Sequence, residues 1–344
     1  MQVDKYRPDD RVEVDALFRR VFGDTQADAS ARRWTWQYAR NPHSQAPQIW
    51  IARDSGAIVG QYATMPVRLS VAGHEVEGSW GMDVMVAPER QRQGLGEILF
   101  QTWDRNTAAS LGMGLSASSH RLFRKLNWPD VGPVPCLVKP LSPRAFSRPD
   151  WSPAANSIVA LLAAPIVSTL RSRGPIHAGV RRFEHFDGRF TDLWRRVASK
   201  FDFAVRRDAE YLEWKYVEVP HRRYSLIALE RGPRIDGYAA FRHTDEARGR
   251  VTVLIDFLSD PDDREALPAL LRFIEREARE AGSEKVRAFV MNEAFRNMMQ
   301  VRGYFRVAST VQLVAKVNAV PVGRSFYAHT GKWHVTFGDS DQDR

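Results

Sequence analysis

Apolar and polar positions follow one order twice along this chain. Four landmark residues recur at a constant spacing: Trp36, Tyr38, Pro42 and His43 return as Trp214, Tyr216, Pro220 and His221. After each set come two strands with alternating apolar positions, joined by a turn that holds a glycine. A third strand, a helix, a short strand and a second helix follow. Because the whole order recurs, the sequence predicts two copies of one domain, each reading helix, strand, strand, strand, helix, strand, helix.

Composition marks the borders of these copies. Residues 140–157 are rich in proline and serine, which is typical of a linker. The apolar run at 157–170 is interrupted by Pro165 and is shorter than the roughly 20 residues of a membrane-spanning helix, so we predict a buried or interfacial helix. The predicted units are a first domain at residues 1–139, a linker with this helix at 140–180, a second domain at 181–320 and a tail at 321–344.

The composition is typical of a cytoplasmic globular protein. Of the 344 residues, 44% are hydrophobic and 26% are charged, which is enough for a large buried core. The single cysteine, Cys136, allows no disulfide within the chain, and the charged N-terminus lacks the apolar run of a signal peptide. We therefore expect a cytoplasmic protein with no transmembrane segment. With one cysteine and no clustered histidines, no metal site is expected. The oligomeric state is left open.

The net charge of +9 raises the question of a nucleic-acid partner. The arginines occur as scattered pairs, however, and form no single basic tract. Scattered pairs are typical of a solvated surface, and a few local arginines serve an anionic small ligand equally well. We therefore do not expect nucleic acid to be the partner.

The most informative stretch is "MDVMVAPERQRQGLGEILF" at residues 82–100. A strand ends at Pro88, and apolar residues at helical spacing begin at Leu95. The unpaired N–H groups of a helix start attract anions, and glycines at 94 and 96 leave room for a phosphate to approach the backbone. Arg90 and Arg92 add positive charge. The stretch therefore predicts a pyrophosphate site.

The same stretch resembles a motif of the GNAT acyltransferases, carried here by Val86, Pro88, Gln91, Gly94 and Gly96. With the order of elements, the resemblance implies an α/β (α+β) protein of two tandem GNAT folds, each a mixed, mostly antiparallel sheet flanked by helices. It implies acyl-CoA, with acetyl-CoA expected, as co-substrate: the loop would bind the pyrophosphate and the strand would pair with pantetheine. The cofactor-binding residues implied are Val84, Met85, Val86, Gln91, Arg92, Gln93, Gly94, Leu95, Gly96 and Phe123.

The second copy departs from this pattern at the glycines. Leu267 and Ala269 stand opposite them, with Pro268 between. The added side chains occupy the space that a phosphate would need. We therefore expect the second copy to be degenerate and to shape a substrate cleft instead of binding acyl-CoA.

Asp83 is the predicted general base. In this family an amine attacks the acyl thioester directly, and a backbone N–H near Val84 to Met85 would bind the oxyanion. Strand alternation predicts that Asp83 points to the face opposite Met82 and Val84, and a carboxylate in an apolar strand is costly unless it is paired or used. The alternative is a structural ion pair or hydrogen bond, which the recurrence of this residue as Asp256 favours.

The proton donor for the leaving thiolate is the weakest part of the resemblance. Phe123 stands where the family keeps a tyrosine, and phenylalanine has no proton to give. His120, Ser119 or Tyr62 would then act, of which we select His120, or the thiolate leaves unaided, which a thiol pKa of about 8.5 permits.

We therefore predict an acyl-CoA-dependent N-acyltransferase that acts on an amine of a small molecule by direct transfer. The missing tyrosine supports a different class, a non-catalytic acyl-CoA sensor or scaffold. A Fem-like aminoacyl transferase would suit the basic charge, but it leaves the pyrophosphate loop unexplained.

The tail carries three carboxylates, Asp339, Asp341 and Asp343. It is either disordered or, because Trp333 begins an alternating apolar pattern, a short docked strand that brings these carboxylates to a cationic substrate.

Overall fold

The computed structural model describes residues 2–148, 150–171 and 175–343. The strands are β1 Gln2–Lys5, β2 Ile49–Asp54, β3 Ala57–Val71, β4 His74–Val86, β5 Ala109–Met113, β6 Asp130–Pro133, β7 Cys136–Pro140, β8 Val180–Arg182, β9 Phe203–Val205, β10 Ser225–Arg231, β11 Arg234–Glu246, β12 Gly249–Ser259, β13 Lys285–Phe289, β14 Phe305–Val307, β15 Gln312–Val317 and β16 Trp333–His334. The helices are α1 Arg11–Phe22, α2 Asp24–Trp34, α3 Leu95–Arg105, α4 Ala117–Lys125, α5 Pro153–Thr169, α6 Gly188–Val197, α7 Ala209–Tyr216, α8 Ala266–Glu280, α9 Glu293–Gln300 and α10 Arg324–Ala328.

These strands form two mixed sheets. The first has the order β1-β2-β3-β4-β5-β15-β6, with β9 attached to β3 and β16 attached to β9. The second has the order β14-β7-β13-β12-β11-β10-β8. Neighbours are antiparallel except for β4 with β5, β9 with β16, and β12 with β13. The predicted fold class, mostly antiparallel sheets flanked by helices, is confirmed.

The two sheets exchange strands. β7 precedes the second half in sequence but pairs with β13 and β14 of the second sheet. β15 comes from the second half and lies between β5 and β6 of the first sheet. Each sheet is therefore completed by a strand from the other half. The boundaries at 139 and 181 remain predictions, and backbone pairing crosses both of them.

The repeated tryptophans meet where the two halves touch. The rings of Trp36 and Trp214 stack with centroids 4.8 Å apart. Each indole N–H donates to the backbone carbonyl of the other tryptophan, at 2.7 and 2.9 Å. Both tryptophans are therefore packing residues, because each buries its ring against the other and uses its indole N–H within the same contact.

The helix that follows the informative stretch forms as its spacing predicts. Leu95, Leu99 and Trp103 are buried on the face of α3 that covers the sheet. The residue before the helix is Gly94 with a φ of 82°, a left-handed conformation that glycine adopts without strain. The glycine therefore turns the chain sharply from loop to helix.

Candidate active site

The loop between β4 and α3 presents bare backbone to solvent. A short 3₁₀ helix at Pro88–Arg90 leads into it, and Arg92 has a left-handed φ of 62°. A Cβ added at Gly94 or Gly96 would meet no atom within 4 Å. The loop and α4 together line a groove of about 430 Å³. The N–H groups at the start of α3 can therefore be reached by an anion in this groove.

Some side chains of the loop stabilise its conformation by hydrogen bonds or an ion pair, and Arg92 faces the groove without such a partner among the described residues. Gln91 donates to the carbonyl of Val86 at 3.2 Å, and Gln93 donates to the carbonyl of Glu89 at 3.0 Å. Arg90 forms an ion pair with Asp54. Arg92 also lines the groove, and in the described part of the chain no carboxylate lies within salt-bridge distance of it. Of the two arginines, Arg92 keeps its charge available for a ligand.

The parallel strands β4 and β5 part beside this loop. They pair only from Gly78 to Trp80 on β4, so residues 81–86 have no β5 partner on that side. The lining of the groove includes Val84, Met85 and Val86 from this stretch. A linear ligand can therefore lie along the strand and reach its backbone groups.

A bulge ends the regular alternation of β4 at Asp83. The register with β3 shifts between Gln61 and Ala63, and Asp83 has a φ of 43°, unusual for any residue but glycine. The predicted alternation is wrong from this point, because Asp83 and its neighbour Val84 both line one cavity. This cavity has a volume of about 510 Å³ and shares Val84, Phe100 and Ser119 with the groove.

A tyrosine just beyond the end of α2 fixes the carboxylate of Asp83. Tyr38 donates its hydroxyl to Oδ2 of Asp83 at 2.5 Å. Tyr38 lies in a π-helical turn, Thr35–Ala39, which extends α2. Such turns are rare and occur often at functional sites. Tyr38 is one of the four landmark residues of the repeat, and no local signal in the sequence connects it with Asp83.

Tyr62 is the β3 residue at the bulge and lines the same cavity. Its ring packs against Phe100 and Trp103, with centroids 4.6 and 4.8 Å away. A Cβ on Gly81 would lie 2.0 Å from the Tyr62 hydroxyl, so glycine at 81 makes the space for it. Burial raises the pKa of Tyr62 well above its ordinary value, and the carboxylates of Asp104 and Asp341 raise it further. The phenol therefore keeps its proton at neutral pH.

The structure separates Phe123 from His120, the residue selected as proton donor, while Ser119, also considered for that role, lines both the cavity and the groove. Phe123 is buried in the cavity wall, edge-on to Phe100 at 4.8 Å and against Trp128 at 4.6 Å. His120 contacts Asp130, Nε2 to Oδ2 at 2.9 Å, and lines neither the cavity nor the groove. The helix α4 thus turns Phe123 toward Asp83 and Tyr62, and His120 toward the strand at Asp130.

The C-terminal tail folds over the cavity. Its strand β16 pairs with β9, so the short docked strand predicted from sequence is present. Beyond it, Asp339 binds Arg207 at 2.8 Å, and Lys215 donates to the carbonyl of Ser340 at 2.9 Å.

The last described residues of the tail are fixed in the same way. Asp343 binds Tyr224 at 2.8 Å and also pairs with Arg242. Gln342 donates to the carbonyl of Met113 at 3.0 Å. These contacts bring Asp341 to the wall of the Asp83 cavity.

No group of three or more histidine, cysteine or acidic residues that could hold a metal occurs in the described ranges. Among the helices that the structure describes, none has the length and apolar character to span a bilayer.

Known proteins resemble both the sequence and the fold. Residues 2–129 match the family model of the Acetyltransferase (GNAT) domain. No curated protein matches the chain in sequence.

Several solved structures share the fold at low identity. One is a conserved protein of unknown function from Enterococcus faecalis V583, a probable N-acyltransferase, with 12% identity, a TM-score of 0.64, and coverage of 92% of this chain and 73% of that one. A GCN5-related N-acetyltransferase from Anabaena variabilis has 13% identity, a TM-score of 0.61, and coverage of 92% and 72%. The Saccharomyces cerevisiae N-myristoyltransferase with bound myristoyl-CoA has 14% identity, a TM-score of 0.56, and coverage of 91% and 82%.

Proposed function

Since residues 2–129 are a GNAT acyltransferase domain and the chain is therefore an N-acyltransferase, we propose that it transfers an acyl group, acetyl being the expected one, from acyl-CoA to an amine of a small molecule. The supporting observation is that two spaces adjoin along the same residues. The loop groove and the cavity that contains Asp83 share Val84, Phe100 and Ser119, so a donor and an acceptor can meet at the bulge.

The donor would lie along the groove. Backbone N–H groups from Gln91 to Gly96 would bind the pyrophosphate, with Arg92 adding charge. The unpaired side of residues 84–86 would receive pantetheine, and an N–H of Val84 or Met85 would bind the oxyanion. Acetyl-CoA is the expected donor, and the myristoyl-CoA bound by the yeast neighbour makes longer chains a necessary comparison.

The acceptor would enter the cavity as an ammonium. Asp83 and Asp341 both line this cavity, and carboxylates favour a cationic amine over a neutral or acidic acceptor. Asp83, held by Tyr38, would take one proton from the ammonium, which frees the nitrogen lone pair to attack the thioester carbon. The second proton, which the nitrogen loses as the amide forms, would go to solvent.

Tyr62 would assist the leaving group as the C–S bond breaks. Its pKa lies above the value of about 8.5 of a free thiol, so complete proton transfer to the thiolate is uphill. The phenol would instead stabilise the thiolate by a hydrogen bond. A hydroxyl in the cavity also weakens the case for a non-catalytic sensor, which relied on the missing tyrosine. His120, which faces Asp130, is the less favoured donor in this proposal.

The test is thiol release. Purified protein is incubated with acetyl-CoA, or with acyl-CoAs of increasing chain length, and a panel of cationic, neutral and acidic amines, and free CoA is followed. We expect turnover with cationic amines that is lost in Asp83→Asn. Tight acetyl-CoA binding without turnover across the panel would favour the sensor and overturn the proposal.

A further inference from the structure

Large apolar side chains are exposed in one part of the surface far from the groove. On α5, Ile158, Leu161, Leu162 and Ile166 are 52–75% exposed. Phe146 and Trp151 precede the helix, and Val301, Phe305 and Val307 lie in and before β14, all of them exposed as well. We call these nine residues the apolar face. None of them lines the cavity that contains Asp83 or the loop groove.

The helix α5 is largely apolar and leaves most of its large side chains exposed. It has no charged residue in its length, and only Ala163 and Val167 are buried against the body of the protein. Leu161 and Leu162 are the most exposed of its large side chains. Such a surface is costly in water, because apolar area in contact with solvent is unfavourable. The helix is also no membrane span.

The turn before β14 packs against the end of this helix. A Cβ on Gly303 would lie 2.7 Å from Cδ2 of Leu170, the residue that follows α5. β14 pairs with β7, and the chain passes from β7 through Pro143–Phe146 to α5. The two parts of the apolar face are therefore neighbours.

Positive charge surrounds the apolar face. Arg144, Arg148, Arg171 and Arg306 are exposed, and the described residues give none of them a carboxylate within salt-bridge distance. Arg148 lies over the ring of Trp151 at 5.0 Å. Three described acids lie near this face. Asp150 is exposed beside Trp151, Glu284 shares a shallow pocket with Arg144 and Arg148, and Asp262, which is paired with Lys200, shares a cavity with Val301.

We propose that the apolar face is a peripheral docking surface for an anionic lipid bilayer. Apolar side chains of an interfacial helix enter the boundary between headgroups and acyl chains, while arginines at its edge bind lipid phosphates. A second copy of this chain fits less well. A two-fold contact would gather two sets of these uncompensated arginines around one interface, where like charges oppose association. The proposal does not depend on the acyltransfer reaction.

Vesicle sedimentation tests this docking with the full chain. Phosphatidylcholine vesicles with and without about a third of phosphatidylglycerol are compared at low and high salt. We expect binding to the anionic vesicles to be about tenfold or more tighter than to neutral ones, and to weaken as salt screens the arginines. Equal binding to both vesicles, or binding to neither, would overturn the proposal.

Matched variants locate the surface. In Leu161→Gln/Leu162→Gln, vesicle binding should fall about tenfold or more, while glutamine keeps the helix propensity near that of leucine. The control is Val12→Gln, which removes a valine of α1 that is 81% exposed and should leave binding unchanged. Equal effects of both variants would contradict the assignment. Sedimentation velocity of the protein alone tests the alternative occupant. If the wild type is a dimer that the α5 variant abolishes, and neither binds lipid, a second copy covers the apolar face and the proposal is wrong.

Discussion

In each sheet two parallel strands stop pairing at the corresponding position and leave a gap between them. Only in the first sheet does this gap stay accessible. β4 and β5 part after Trp80, and β12 and β13 part after Leu254. In the second sheet the tail enters the space between them. His334 binds the carbonyl of Phe257 at 2.8 Å, and the N–H of Met291 donates to the carbonyl of Val335 at 3.1 Å. The gap in the first sheet forms the groove, and the gap in the second sheet is filled by the tail.

The matching aspartates differ in the same way. Both lie beside a bulge, but Asp256 is buried and binds Arg207 at 3.0 Å and Tyr238 at 2.7 Å. Burial alone would raise the pKa of Asp256, yet the positive charge of Arg207 outweighs it and lowers the pKa. Asp83 lines an open cavity and is held by a phenol. The same position thus fixes structure in one sheet and is available for chemistry in the other.

The loops before α3 and α8 complete the comparison. Gly94 precedes α3 and faces open space, whereas the aligned Leu267 lies in the first turn of α8 and is fully buried. The side chain of Leu267 therefore packs in the core and, contrary to what the sequence had suggested, does not occupy the phosphate approach.

A cavity of about 730 Å³ does remain beside α8, lined by Asp262 and Pro268. Arg264 and Arg302 also line this cavity, and Asp262 is paired with Lys200, so charge alone does not exclude a phosphate there. The difference lies in the backbone, because Pro268 in the first turn of α8 has no N–H to donate.

The sharpest test of this comparison exchanges each aspartate for asparagine. Asp83→Asn should lower kcat by about 10²–10⁴-fold with little change in the melting temperature, because a general base is lost. Asp256→Asn should cost about 1–3 kcal/mol of unfolding free energy, because the buried Arg207 loses one of its two charged partners and keeps the other, Asp339. Kinetics and thermal unfolding of both variants are the measurements. If Asp83→Asn destabilises as much as Asp256→Asn, both aspartates are structural.

The next test concerns the glycine that distinguishes the two loops. Gly94→Leu should weaken CoA binding by about a hundredfold or more, because its side chain occupies the approach to the helix start. Gly94→Asn is the control for backbone strain, since asparagine tolerates a positive φ. It should keep more affinity. Calorimetry should find one CoA per wild-type chain. Two equivalent CoA sites, or wild-type affinity in Gly94→Leu, would contradict the proposal that only the loop before α3 binds CoA.

A smaller effect is expected at Tyr62. Tyr62→Phe should lower kcat by about tenfold to a hundredfold, because the leaving thiolate loses a hydrogen bond. Phe123→Tyr should restore part of this rate, since it adds a hydroxyl to the same cavity wall. His120→Ala is the matched comparison and should change kcat by less than Tyr62→Phe. A larger loss of kcat in His120→Ala than in Tyr62→Phe would identify His120 as the group that assists the leaving thiolate.

The smallest expected effect compares the two loop arginines. Arg92→Ala should weaken CoA by about tenfold and a dephosphorylated pantetheine analogue by less, because a charge-assisted phosphate contact is lost. Arg90→Ala, whose guanidinium is paired with Asp54, should have little effect on either ligand. Equal losses of both ligands in Arg92→Ala would show that the arginine supports folding only.

Local patterns predicted more of this molecule than distant contacts did. The strand, turn and helix around Gly94 follow from spacing and glycine chemistry, and the repeat of elements predicted two similar sheets. The bulge at Asp83 escaped prediction because alternation assumes regular pairing with β3. The contact of Tyr38 with Asp83 and the place of Asp341 also escaped, since both join segments far apart in sequence. His120 and Phe123 lie three residues apart on one helix, and only packing decides which of them faces the cavity.

The exchange of β7 and β15 has a consequence for how the chain folds. The edge of β5 receives its neighbour only when residues 312–317 have been synthesised. Until then, an apolar first sheet remains incomplete while the rest of the chain emerges from the ribosome. Contacts between such distant segments slow folding and leave unpaired strand edges exposed to other chains. A strand synthesised near the end of the chain is therefore needed to complete the first sheet.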